Sequence, residues 1–340
     1  MKLIELHILQ SFPVSCLNRD DVGSPKTAVF GGVQRARLSS QCLKRAARVA
    51  ASEQTPAFQG IRSRFLKEPF TEALLKAGVD AEKAPSLAQS ICEVFSKQDA
   101  KHEAQVTTAV YLSPLEITQI SEAVAKGEDP KKAAKKVDRI DAADIALFGR
   151  MVANDATLNV EGAAMFSHAL STHKATNEID FYSAVDDRKA DAEDAGAGMI
   201  GTLEFTSATY YRYAAVNLDL LFCATHLGKL SGAERKAILS AFIQATLTAV
   251  PGARKNSMNA ATLPFEVLGV YKSQGQPIQL INAFDPPVQA NGKGLAAASL
   301  GALKTELEKL KSIWGIQQEE CWLTESGLPS FLDKLTSHVE

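Results

Sequence analysis

Apolar and polar residues alternate over residues 3–9. Ile4, Leu6 and Ile8 share one face, and Glu5 and His7 share the other. A period of two predicts a half-buried strand. Further strands are predicted at 33–38, 143–152, 163–172, 202–217 and 265–271. Leu203, Phe205, Tyr211 and Tyr213 keep step within 202–217. Helical spacing takes over in 40–51, with Leu43, Ala46, Ala47 and Val49 on the apolar side. Helical patterns follow at 70–77, 85–97, 114–126 and 130–139, then at 231–250, 295–314 and 330–338. Ser231 and Glu234 have the spacing of a capping box at a helix start. The order is strand, helix, helical insertion, strands, a polar segment, strand and helix. It predicts an α+β fold with an antiparallel sheet backed by helices. There is no internal repeat.

Charge adds what hydropathy does not show. The chain has a formal net charge of -2, yet residues 22–52 hold six basic residues and no acid. Crowded like charges repel, and a bound polyanion is a direct explanation. Arg35 and Arg37 share a strand face. Gly31 and Gly32 permit a tight turn or a close backbone approach. Ser39 and Ser40 are N-cap candidates. Gln41, Lys44, Arg45 and Arg48 fall at i, i+3, i+4 and i+7, one side of a helix. Arg19 and Lys26 lie just upstream. A solvated amphipathic helix is the ordinary reading of such a face. The lack of any acid, together with glycines and serines that bind phosphate, favours nucleic acid. The pattern does not separate DNA from RNA.

The segments 15–21 (SCLNRDD), 30–32 (FGG) and 37–46 (RLSSQCLKRA) resemble the backbone subunit of the type I-E CRISPR Cascade complex, the CasC family. So do 144–151 (DIALFGRM), 171–173 (STH), 179–187 (IDFYSAVDD), 201–205 (GTLEF), 211–214 (YRYA) and 250–253 (VPGA). The blocks span most of the chain, except 54–140 and the C-terminal part. The resemblance implies a modified ferredoxin-like, RNA-recognition-motif-like core of the RAMP superfamily, with a helical fingers insertion and a thumb loop. The implied division is palm core 1–53, fingers 54–140, palm 141–173, thumb 174–204, and palm with C-terminal helices 205–340.

It implies a non-catalytic subunit that oligomerises head to tail along the CRISPR guide RNA and presents the spacer for pairing with the target DNA strand. Its partners would be that RNA, adjacent copies of itself, and the large, small, CasD-like and CasE-like Cascade subunits. Arg19, Lys26, Arg37, Ser39, Gln41, Lys44, Arg45 and Arg48 would hold the RNA backbone. Met151 on the palm, with Phe181, Tyr182, Ser183 and Ile200 on the thumb, would wedge between bases, a task that needs no sequence readout. Residues 176–194 hold seven acids (Glu178, Asp180, Asp186, Asp187, Asp191, Glu193, Asp194) against Arg188 and Lys189. This thumb is expected to lean on the basic face of the next copy, with Val185 beside the other apolar residues.

The alternative is an RNA-cleaving RAMP endoribonuclease that processes CRISPR transcripts. Metal-free cleavage needs a poised base, and His168 and His173 are the candidates. Asp20 and Asp21 are weak as a metal site. Lys131, Lys132, Lys135, Lys136 and Arg139 form a second basic stripe, read as a solvated helix or, more weakly, as a DNA contact. The five cysteines (Cys16, Cys42, Cys92, Cys223, Cys321) have no metal-ligand spacing and predict free thiols in a reducing cytoplasm. No cofactor or metal is expected. No run of eighteen apolar residues exists, so no membrane span is expected, and residues 1–6 predict a strand rather than a leader.

Overall fold

The computed structural model describes residues 1–184, 199–290 and 292–339. The chain opens with β1 (Leu3–Ser15), then β2 (Thr27–Phe30), β3 (Val33–Leu38) and α1 (Ser40–Ser52). The next stretch contains β4 (Ile61–Ser63), α2 (Lys67–Lys76), α3 (Ala84–Phe95), β5 (Val110–Leu112), α4 (Pro114–Ala125), α5 (Pro130–Lys135) and α6 (Ala143–Phe148). It has its own hydrophobic core, which includes Phe70, Leu74, Ile91, Phe95, Leu112 and Ile120. Residues 143–148 form a helix, not the predicted strand. A short apolar run buried on all sides carries no period to separate the two; Ala143 to Leu147 are all buried.

The remainder holds β6 (Ala164–Phe166), β7 (Ala169–Ser171), β8 (Glu178–Ala184), β9 (Met199–Asn217), α7 (Leu218–Leu221), α8 (Gly232–Thr248), β10 (Glu266–Lys272), α9 (Gly294–Trp314), β11 (Glu319–Trp322), α10 (Leu323–Ser326) and α11 (Leu328–Thr336). The main sheet runs β11-β10-β1-β9-β7-β3-β2, with β6 and β8 also pairing with β9. Strand β1 is central and antiparallel to both β10 and β9. Ser231 and Glu234 form the predicted capping box of α8.

Both faces of β1 are covered, so the predicted polar face is buried. Ile4, Leu6 and Ile8 pack with α8 and α11, while Leu9 belongs to a second cluster with Leu303 and Leu307 of α9. Glu5 and His7 face that second cluster and are 1% and 2% exposed. The Glu5 carboxylate and His7 Nδ1 have internal partners. Glu5 pairs with Lys272 Nζ at 2.7 Å and accepts from the Tyr213 hydroxyl and the Ile278 N–H. The Leu280 N–H donates to the Tyr211 hydroxyl, which is also hydrogen-bonded to His7 Nδ1 at 2.9 Å. Burial, reinforced by the Lys272 charge, pushes His7 down to about 3.

Candidate nucleic-acid interface

The basic surface is assembled by backbone bonds that tie a loop, a hairpin and a helix together. Asn18 is the tie. Its side-chain oxygen accepts the Ser39 N–H at 2.8 Å, and its carbonyl accepts the Lys26 N–H at 2.9 Å. The Arg37 N–H donates to the Lys26 carbonyl at 2.9 Å. The loop carrying Arg19 and Lys26 is thereby fixed to β3 and to the start of α1. Nothing in the sequence around Asn18 announces this role, because its partners lie beyond a loop, at Lys26 and Ser39.

Gly31 and Gly32 join β2 to β3 with φ of 58° and 74°, a two-residue hairpin turn with both central residues left-handed. A Cβ on Gly31 would lie 1.7 Å from the Asp285 carbonyl oxygen. The close approach is therefore to the protein's own backbone. Arg35 serves the same junction. Fully buried, it donates to the carbonyls of Phe30, Ser171, Phe284 and Asp285. Arg37, on the same strand face, is half-buried and donates to the Thr27 carbonyl and to His168 Nδ1.

Ser39 is buried and is the N-cap of α1, its hydroxyl accepting the Cys42 N–H at 3.3 Å. From there Gln41 and Arg45 are exposed, and Lys44 and Arg48 are half-buried on the same helix face. Lys44 lies over the Phe166 ring at 5.9 Å, and burial lowers its ammonium pKa. Arg48 is committed inward, with its Nη1 donating to the Gly60 carbonyl at 3.3 Å and to the Tyr111 hydroxyl at 3.4 Å. Among the described residues none of Arg19, Lys26, Arg37, Lys44, Arg45 and Arg48 is in an ion pair.

Met151 is 77% exposed although it is a large apolar residue. Its neighbours are pinned. Arg150 is buried and bonds to Glu116, the Tyr111 carbonyl and the Leu158 carbonyl, while the Val152 N–H donates to Asn159 Oδ1. Met151 is thus held out on a rigid support. The segment predicted as a thumb loop contains paired strands: β8 and β9 pair from Glu178↔Phe205 to Ala184↔Met199. Ile179 and Phe181 are 71% and 64% exposed on one face, with Ser183 following in step. Tyr182 points the opposite way and lies over Gly201, where a Cβ would come within 2.5 Å of its ring. Phe181 and Tyr182 therefore do not share a face, and Ile179 joins Phe181 instead. Ile200 pairs with Ser183 through the backbone. Its side chain, together with Val185, Asp186, Asp187, Arg188, Lys189, Asp191, Glu193 and Asp194, lies outside the described residues.

The CT1975-like protein family matches residues 4–338. The chain belongs to this family. Among solved structures, a chain of a "CRISPR RNA-guided surveillance complex, pre-nicking" is similar at 28% identity and a TM-score of 0.82, covering 98% of this chain and 99% of that one. A chain of another "CRISPR RNA-guided surveillance complex" shares the fold at 23% identity and a TM-score of 0.71, with 98% and 99% covered. No curated protein matches.

In this CT1975-like chain His168 and His173 both take part in internal bonds. His173 Nε2 accepts the Thr209 N–H at 3.1 Å, so its Nδ1–H donates to the Lys174 carbonyl at 2.8 Å. His168 Nδ1 takes its bond from Arg37 at 3.3 Å, and burial with the Arg37 and Lys26 charges lowers its pKa. Asp20 accepts the Val22 and Ser24 N–H groups and shapes its own turn. Among the described residues no group of three or more His, Cys, Asp or Glu is placed to hold a metal. The second basic stripe is largely paired: Lys131 and Lys135 with Asp155, Lys136 with Glu128, and Arg139 with Glu116. No helix among the described residues is long and apolar enough to cross a membrane.

Proposed function

We propose that this chain is the non-catalytic backbone subunit of a CRISPR RNA-guided surveillance complex of the type I-E Cascade kind. Copies oligomerise head to tail along the guide RNA spacer and present it to the target DNA strand, in antiviral defence in the cytoplasm. The observation that carries this reading is the set of six cations on one tied loop–hairpin–helix unit, none with a carboxylate partner among the described residues. A structural patch would be neutralised internally, as most of the 131–139 stripe is. The family and the likeness to a chain of a surveillance complex support the same reading.

The strand order β10-β1-β9-β7, with α1 after β1 and α8 after β9, matches the order 4-1-3-2 of a split βαβ core. It supports the RAMP assignment with a palm, fingers at 54–140 and a β8–β9 thumb. Arg19, Lys26, Lys44 and Arg45 hold phosphates, with Gln41 and Arg37 beside them. Met151, Ile179 and Phe181 are the wedges, and Tyr182 stiffens the thumb against Gly201. Glu178 and Asp180, both exposed, begin the acidic stretch that meets the basic face of the next copy. RNA cleavage is disfavoured because neither His168 nor His173 has the ring nitrogen of a free general base.

Binding to guide-length RNA of several unrelated sequences tests the reading. Affinity is equal across sequences and falls with salt as phosphate contacts release ions, by about 0.7 log units per contact for each tenfold rise in salt for single strands. Sequence-dependent or salt-insensitive binding, or turnover of the RNA, would contradict it.

A further inference from the structure

The segment between α8 and β10 includes the block 250–253 (VPGA). It is tied down at both ends. Arg212, buried on β9, donates to the Thr246 carbonyl at 2.5 Å, in the last turn of α8. At the far end Gln10 donates to the Thr262 carbonyl at 2.7 Å, and the Thr262 hydroxyl donates to the Ser11 carbonyl at 2.8 Å. Between these anchors Arg254 has a φ of 53°, the single non-glycine residue at positive φ among the described residues. The Ser257 and Met258 N–H groups close on its carbonyl at 3.1 and 2.8 Å. A long side chain at such a backbone position carries strain.

The Arg254 side chain has no hydrogen-bond acceptor among the described residues. Its Nε is buried without a hydrogen-bond partner. Neither Arg254 nor the exposed Lys255 is in an ion pair among the described residues. The loop is also well placed. Ala253 lines an open depression of about 560 Å³ together with residues 17–23, which include Arg19 and the carboxylates Asp20, turned to the Val22 and Ser24 N–H groups, and Asp21. Cys16 lies near both cations: burial raises its thiol pKa, the Arg254 and Arg19 charges pull it back, and the Glu204 and Asp20 charges raise it by less. A cation at a strained position, near a second cation and without an acceptor among the described residues, is arranged for an anion from outside.

We propose that Arg254 and Lys255, with Arg19, form a second phosphate-binding corner for single-stranded RNA, outside the α1 face. This rests on the RNA-binding reading and extends the path of the strand from α1 across the 17–23 loop. The guanidinium supplies a planar fork for one phosphodiester, and Lys255 a point charge for the next.

The test is the double variant Arg254→Gly with Lys255→Gln, assayed for guide-length RNA binding and for thermal unfolding. Glycine removes the cation and relaxes the backbone together, so the unfolding midpoint is expected to hold or rise. Affinity is expected to fall about tenfold, and the slope of log affinity against log salt by about 1.4 for two lost contacts. Wild-type binding with unchanged affinity and slope in the variant would overturn this corner alone. Failure of the wild-type protein to bind RNA would overturn the underlying reading as well.

Discussion

The Arg48 guanidinium stacks on Tyr111 at 5.4 Å from the ring centroid, and the Tyr111 hydroxyl in turn donates to Asp144 Oδ2 at 2.5 Å. Arg48 thus couples the basic helix to the inserted helical region and to α6. Burial raises the Asp144 pKa, with the Tyr111 bond, the Gly60 N–H and the Arg48 charge pulling it back. Arg48 is the residue of the helix face whose loss is felt by the fold.

Arg48→Ala and the pair Lys44→Ala/Arg45→Ala should therefore separate. Arg48→Ala is expected to cost about 1–2 kcal/mol of stability, because it strips charge-assisted bonds from partly buried acceptors. Lys44→Ala/Arg45→Ala is expected to change stability by no more than about 0.5 kcal/mol and to weaken RNA binding with a shallower salt slope. Urea unfolding beside binding isotherms checks both. Equal destabilisation by the two variants would contradict the division.

Gly31 and Gly32 differ in a way that substitution exposes. Gly31→Ala places its Cβ against the Asp285 carbonyl, and a loss of about 3 kcal/mol or more is expected. Gly32→Ala meets nothing within 4 Å and is expected to cost about 1 kcal/mol for its positive φ alone. Unfolding midpoints measure the contrast.

His7 predicts an acid limb. Its ordinary value is 6.5 and its folded value about 3, so the unfolded chain binds the extra proton between those values. Stability from this group is complete above about pH 6.5 and is lost as pH falls toward 3. The loss at pH 5 is about 2 kcal/mol. His7→Gln should flatten the pH dependence of the urea midpoint between pH 4 and 6.5, whatever it does to stability at neutral pH. An unchanged profile would mean that His7 does not titrate in this way.

These residues also mark what the sequence makes legible. Helix α1 and its Ser39 cap, the capping box of α8 and the Gly31–Gly32 turn follow from local chemistry and were readable. So was the acid-free basic stretch. The burial of Glu5 and His7 was not, because α9 closes that face from nearly 300 residues away. The helix at 143–148 reads as a strand because it is buried all round. The opposite orientations of Phe181 and Tyr182 follow only once paired strands replace a loop. Arg35 and Arg37 share a face as predicted, but whether a cation is held inward or offered outward depends on tertiary carbonyls that no local pattern names. Asn18 and Arg254 were missed for the same reason.

The thumb gives a directional expectation. Phe181→Ala with Ile179→Ala should abolish periodic protection of bound RNA from chemical probing while leaving the hairpin folded. Tyr182→Ala should act through the hairpin, raising proteolysis near 201. Identical footprints for the two variants would contradict the assignment of faces.

In the proposed assembly, copies of this chain line up on one RNA strand. Native mass spectrometry of the protein with single-stranded RNAs of stepwise increasing length tests it most directly. The number of bound copies should rise by whole units in proportion to length; one copy at every length would contradict the account.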